Sequence, residues 1–147
     1  CHPSRIMQSH PVVQSLRNEA ANWLAMQPAP GAERLRWLRY LPVDQADNIR
    51  DAATVDPTLA RLLLGEFLPQ LATYAFLAAG CHVPRHKDIL AGLARLDAAA
   101  EVDLRAIISA SDIGAALVLT EALMQRVLGV TTFFTWDSTP EQEKLID

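Results

Sequence analysis

Two cysteines in 147 residues, Cys1 and Cys81, are too few and too far apart for a disulfide framework. That scarcity sets the expected compartment as a reducing cytoplasm. Positive charge is also in deficit. The net charge of -4 argues against nucleic acid as a partner of the domain as a whole. No apolar run reaches the ~20 uninterrupted residues that a bilayer demands. The greasiest stretch, 57–80, is broken by Arg61, Glu66, Pro69 and Gln70, so no membrane role is expected. There is no repeat period, no low-complexity tract and no complete catalytic motif. The opening residues, CHPSRIM, hold no apolar leader segment. They read as the start of a piece cut from a longer protein.

What is present is leucine, alanine and helical spacing. Half of the residues are hydrophobic, enough to bury a single core at this length. Residues 11–27 place Val13, Leu16, Ala20, Trp23 and Leu24 at helical intervals behind Pro11, a residue suited to a first turn. A second helix is expected over 32–41, closed by Pro42, and a third over 43–53. Asp56-Pro57 reads as an N-cap followed by proline at the first helical position, opening a helix over 57–80. That helix has only a thin polar stripe, so it is predicted to be central, buried nearly all round, and kinked at Pro69. Further helices are expected over 86–97, 101–110 and 111–129, with Gly80 and Gly129 as stops. Residues 130–136, VTTFFTW, are strand-like without a sheet to join and are expected either to form an irregular cover or to pair with something outside this chain. A short last helix is expected over 138–147. The reading is all-α: one domain, six to eight helices.

Several constellations carry chemistry, each beside a plainer reading. Cys81, His82 and His86 are zinc-type ligands, but Pro84 breaks the shared helix face and no second cluster completes a set; an interhelical loop is favoured. Arg5 and His10 fit the R-x4-H spacing of the RNase motif of HEPN helical domains, yet Pro11 follows directly, and chance spacing is favoured. Arg34, Arg36 and Arg39, interleaved with Trp37 and Tyr40, suit phosphate or a stacked base. A solvated helix face explains them better. Asp44, Asp47 and Asp51 share a face at i, i+3, i+7, fit to hold a polyamine-like cation or Mg2+, or simply to sit in water balanced by Arg50.

The densest stretch is GCHVPRHKDIL, residues 80–90. Pro84 precedes an expected helix whose first turn would hold Arg85, His86 and Lys87. A helix start offers free backbone N–H groups and the positive end of its dipole. Arginine and lysine placed there make an anion site suited to phosphate, although on these residues alone an ordinary helix start is favoured.

The segment TYAFLAAGCHVPRHKDILAGLARL, with Tyr74, Phe76, Pro84 and Lys87, resembles the C-terminal helical domain of bacterial nucleotidyltransferases of the aminoglycoside-adenylyltransferase type. Upstream, RIMQSHPVVQSLRNEAANWLAMQP resembles that family's link out of its catalytic domain. The likeness covers most of the chain by pattern, through short motifs. Gly80, Cys81 and His82 replace the Asn-Arg-Tyr type of residues often found in the family's loop. The resemblance implies that Lys87 neutralises nucleotide phosphate, with Arg85 assisting. It implies weaker acceptor contacts from Tyr74 and from the Asp44, Asp47 and Asp51 face. It also implies an N-terminal αβ catalytic domain as partner, because no Gly-Ser followed by Asp-x-Asp occurs in the sequence. Those aspartates would hold the Mg2+ of Mg-ATP. No catalytic residue and no metal ligand is therefore assigned within this chain. The acceptor is expected to be a small molecule, cationic if the carboxylate face contacts it. Two other classes compete: a ligand-sensing or dimerising domain of a transcription regulator, which leaves room for oligomers, and a purely structural interaction domain.

Overall fold

The computed structural model describes residues 11–26 and 30–133. Six α-helices lie among them, α1 (Pro11–Ala25), α2 (Ala32–Val55), α3 (Pro57–Ala78), α4 (Ile89–Leu96), α5 (Ala98–Ser109) and α6 (Ile113–Leu128), plus a 3-10 turn at His86–Asp88. There is no strand among the described residues. The all-α reading holds. None of these helices is long and apolar enough to cross a membrane. The helix expected over 138–147, residues 134–136 of the strand-like stretch, and the pair Arg5 and His10 lie outside the described residues.

Two aspartates turn the chain. Asp56 is the last cap of α2 and the first of α3. Its N–H donates to the Ala52 carbonyl at 2.7 Å, while its carboxylate accepts from Thr58 and Leu59 N–H at 2.9 and 3.2 Å. Asp97 repeats the device between α4 and α5, its N–H on Leu93 and its carboxylate on Ala99 and Ala100. Both sit in extended backbone, so one residue reverses the chain and satisfies orphan groups of two helix ends. Asp112 caps α6. The Ala115 N–H and then the Ser111 hydroxyl hold its carboxyl below the ordinary 3.8. That cap is therefore in place above the ordinary value and is lost as pH falls through the depressed one. Gly129 ends α6 at φ 70°, a left-handed backbone that glycine adopts without steric cost.

Proline 42 does not close a helix. It lies inside α2, joining the two helices expected over 32–41 and 43–53 into one of 24 residues. An interior proline costs ~3 kcal/mol through its missing N–H and the ring's clash with the preceding turn. The apolar face explains the outcome. Leu38, Pro42, Ala46, Ile49 and Ala53 recur at helical spacing straight through the proline, and Pro42, Val43, Ala46 and Ile49 are buried. Ending the helix at Leu41 would turn that face out of register. Proline 69 is likewise interior to α3, which runs on to Ala78. Buried Phe67, Leu68, Leu71, Ala72 and Phe76 make α3 the central helix, packed against α2 and α6. It is not covered all round, since Leu62 is 64% exposed.

Residues 130–133 form a non-helical cover on α2. Arg39 donates to the Leu128 carbonyl at 2.8 Å, and Arg50 to the Thr131 carbonyl at 2.8 Å. Tyr40 stacks on Trp37 and meets Phe133, with ring centroids 6.0 and 5.6 Å apart. Among the polar groups at the core, the Thr120 hydroxyl is satisfied by the Ala116 carbonyl at 2.7 Å. The Gln45 Oε1 is buried without a partner.

Two measurements follow. Asp56→Ala should lower the free energy of unfolding by ~1 kcal/mol, and Asp56→Asn by much less, because asparagine keeps the capping oxygen. Equal losses in both variants, measured by urea denaturation, would show that the corner does not depend on the cap. Gln45→Met should be neutral or stabilising, since it replaces a stranded polar atom with an apolar one of similar shape; a loss above ~1 kcal/mol would reveal a partner for that oxygen.

Candidate functional site

The loop from Gly80 to Asp88 is laid down by three contacts. Gly80, at φ 67°, ends α3, and the Cys81 N–H returns to the Phe76 carbonyl at 2.8 Å. His82 Nε2 donates 2.6 Å to the Met26 carbonyl, which ties the loop to the residue after α1. Pro84 then drops onto Gly92 of α4 and Phe76 of α3. A Cβ added at Gly92 would stand 2.6 Å from the Pro84 ring and 3.0 Å from the Phe76 ring. The absent side chain is what lets the loop lie flat on α4. This places Phe76 and Pro84, singled out in the sequence, in one packing unit. Beneath it, Cys81, His82, Pro84, Gly92, Arg95, Leu96 and Phe76 line a cavity of about 260 Å³.

The expected helix start at Arg85–Lys87 is displaced. Residues 86–88 form a 3-10 turn, and α4 begins at Ile89. An ion pair is the cause: Arg85 grips the Asp88 carboxylate through Nε at 2.8 Å and through its terminal nitrogen at 2.7 Å. That pairing has two effects. It commits Arg85, leaving the positive charge of the turn to Lys87, which is exposed and makes no hydrogen bond or ion pair with the described residues. It also draws Asp88 away from capping, so α4 starts with no side chain on its first N–H groups.

The remaining sequence candidates are scattered. Asp44, Asp47 and Asp51 are all exposed on α2, where Asp47 pairs with Arg50 at 3.5 Å. No hydrogen bond or ion pair joins that face to Arg85 or Lys87. Tyr74 is half-buried against the core. Arg39 serves as a cap for α6, whereas Arg34 and Arg36 are exposed. The zinc-type residues diverge: His82 goes to the Met26 carbonyl, Cys81 Sγ lies 3.7 Å from the Ala79 carbonyl, and His86 faces elsewhere. Among the described residues no three His, Cys, Asp or Glu side chains are grouped to hold a metal.

His86 is the residue whose place the sequence did not indicate. It forms the lip of a cleft of about 210 Å³ between α2 and α3, with Leu38, Leu41 and Pro42 on one wall and Pro69, Gln70 and Thr73 on the other. The only signal for this cleft was the presence of two prolines within helical patterns, and it became a cleft only once the helices paired.

Gly92→Ala tests the loop's support. The alanine gains up to ~1 kcal/mol of helix propensity, but it meets a rigid ring at 2.6 Å. Overpacking of this kind costs roughly 1–3 kcal/mol, so a net loss of melting temperature is expected, with amide shifts concentrated in 81–88. A rise in melting temperature with an unmoved loop would show that Pro84 is free to give way. No family model, no curated protein and no solved structure matches this chain.

Proposed function

We propose that this chain is a helical substrate-binding module that completes the cleft of a nucleotidyltransferase, with Lys87 set against nucleotide phosphate. One observation supports the reading above the others: the Arg85–Asp88 pair leaves the start of α4 without a side-chain cap, its Ile89 N–H alone returning to the His86 carbonyl, beside a lysine that has no partner among the described residues. Free N–H groups and a cation at one helix end are what a phosphate oxygen needs. Arg85 acts by positioning Asp88 rather than by touching the nucleotide. The Mg2+ of Mg-ATP belongs, in this reading, to a catalytic domain partnered with the module; among the described residues no group of three His, Cys, Asp or Glu side chains is placed to hold it. A small-molecule acceptor, cationic if it uses Asp44, Asp47 and Asp51, would approach along α2.

A second reading has its own observation. Helix α1 buries no residue, and Val12, Leu16, Trp23 and Leu24 are all more than half exposed. An uncovered apolar helix suits a dimerising or interaction domain such as that of a transcription regulator.

Lys87→Ala separates the two. In the polypeptide that joins this module to its catalytic domain, the substitution should weaken ATP binding about ten- to a hundredfold by calorimetry, the worth of a charge-assisted phosphate contact. Thermal stability should change by less than ~0.5 kcal/mol, because the side chain is exposed. Unchanged ATP affinity would remove the phosphate role and leave the interaction reading ahead.

A further inference from the structure

The cleft between α2 and α3 has a construction of its own. Its two prolines stand at matching heights of the hairpin, Pro42 14 residues before Asp56 and Pro69 13 residues after it. Each lacks an N–H, so the carbonyls of Leu38 and Gly65 lose their helical donors one turn earlier. Pro42 is buried and Pro69 half-buried, and the cleft opens beside them between the two helices. The apolar walls are completed by Leu38 and Leu41, and the polar groups are confined to Gln70, Thr73 and His86. Thr73 spends its hydroxyl proton on the Pro69 carbonyl at 2.8 Å, leaving its lone pairs to the cleft.

The volume limits the occupant. A cavity of about 150 Å³ lined by apolar side chains takes a benzene ring, so about 210 Å³ holds one ring and one substituent. Charge decides what that substituent is. His86 is at the lip with Lys87 next in the chain, while the nearby Arg85 and Asp88 cancel one another at 2.7 Å. Of the other acids on the two walls, Asp44 follows Pro42 by two residues and Glu66 precedes Pro69 by three; both are exposed, and neither lines the cleft.

We infer that this slot is a binding site for a small single-ring acid, its ring against Leu38, Leu41 and Pro69 and its carboxylate on His86 and Gln70. The site is separate from the phosphate role of Lys87 and does not require nucleotidyl transfer. It needs only this chain.

The test is a titration of the isotopically labelled chain with benzoate, benzyl alcohol and benzylammonium, followed by amide shifts. Benzoate should give saturable shifts confined to 38–41, 70–73 and 86, and should bind at least about tenfold more tightly than benzylammonium. His86→Ala should erase the preference for benzoate over benzyl alcohol while leaving the alcohol's affinity in place. Thr73→Met, which fills the slot, should abolish binding of both, with a thermal melt confirming that the variant is folded. If Thr73→Met does not fold, Gln70→Ala, at an exposed position, replaces it and should weaken benzoate alone. Unsaturable or dispersed shifts with benzoate would overturn the site. Tighter binding of benzylammonium would overturn its charge class.

Discussion

The pairing of α2 with α3 rests on a single residue. Asp56 ends one helix and begins the next, and no loop intervenes to absorb an error in angle. With that corner fixed, the apolar face of α2 lies on α3, and buried Val43, Ala46 and Ile49 join Leu64, Phe67, Leu68 and Leu71 in one core. The same corner at Asp97 sets α5 against α4. Carboxylate capping is worth only ~1 kcal/mol in isolation. Its structural effect is larger, because it selects one chain reversal among many that burial alone would tolerate.

Most of the helix ends were legible because their causes are local. Asp56-Pro57, Gly80 and Gly129 act through their own backbone or through the next three residues, and each is legible in the sequence. The errors fell where a distant partner decides. Pro42 looks like a terminator over ten residues and like an interior residue only when its face is followed to Ile49. The start of α4 was placed three residues early because Arg85 holds Asp88, a contact that competes with capping and that propensity does not register. Ala98–Ala100 carry no pattern, so the first turn of α5 was missed, although its cap Asp97 is an ordinary one.

The candidate site was legible in part for the same reason. The loop 80–90 announced itself by its composition, and Lys87 lies exposed on its 3-10 turn. Arg85 is engaged by Asp88, and His86 belongs to a cleft whose other walls lie 44 to 48 residues upstream on α2 and 13 to 17 residues upstream on α3. No window along the chain contains that cleft. The notch at Gly92, which seats Pro84, is invisible for a related reason: its significance is an atom that is missing.

The fastening of residues 130–133 to α2 bears on how the chain reaches its native state. The Arg39 bond spans 89 positions and the Arg50 bond 81, while the α2–α3, α4–α5 and α5–α6 contacts are between neighbours. Neighbouring helices close small loops and form early; a closure across more than half of the chain bears the larger entropic penalty and waits for both ends. On a ribosome, α2 would emerge and pair with α3 while its Arg39 and Arg50 side chains still lacked their acceptors. The last described residues thus act as a latch, and the order of synthesis ensures that the latch is set after the core it secures.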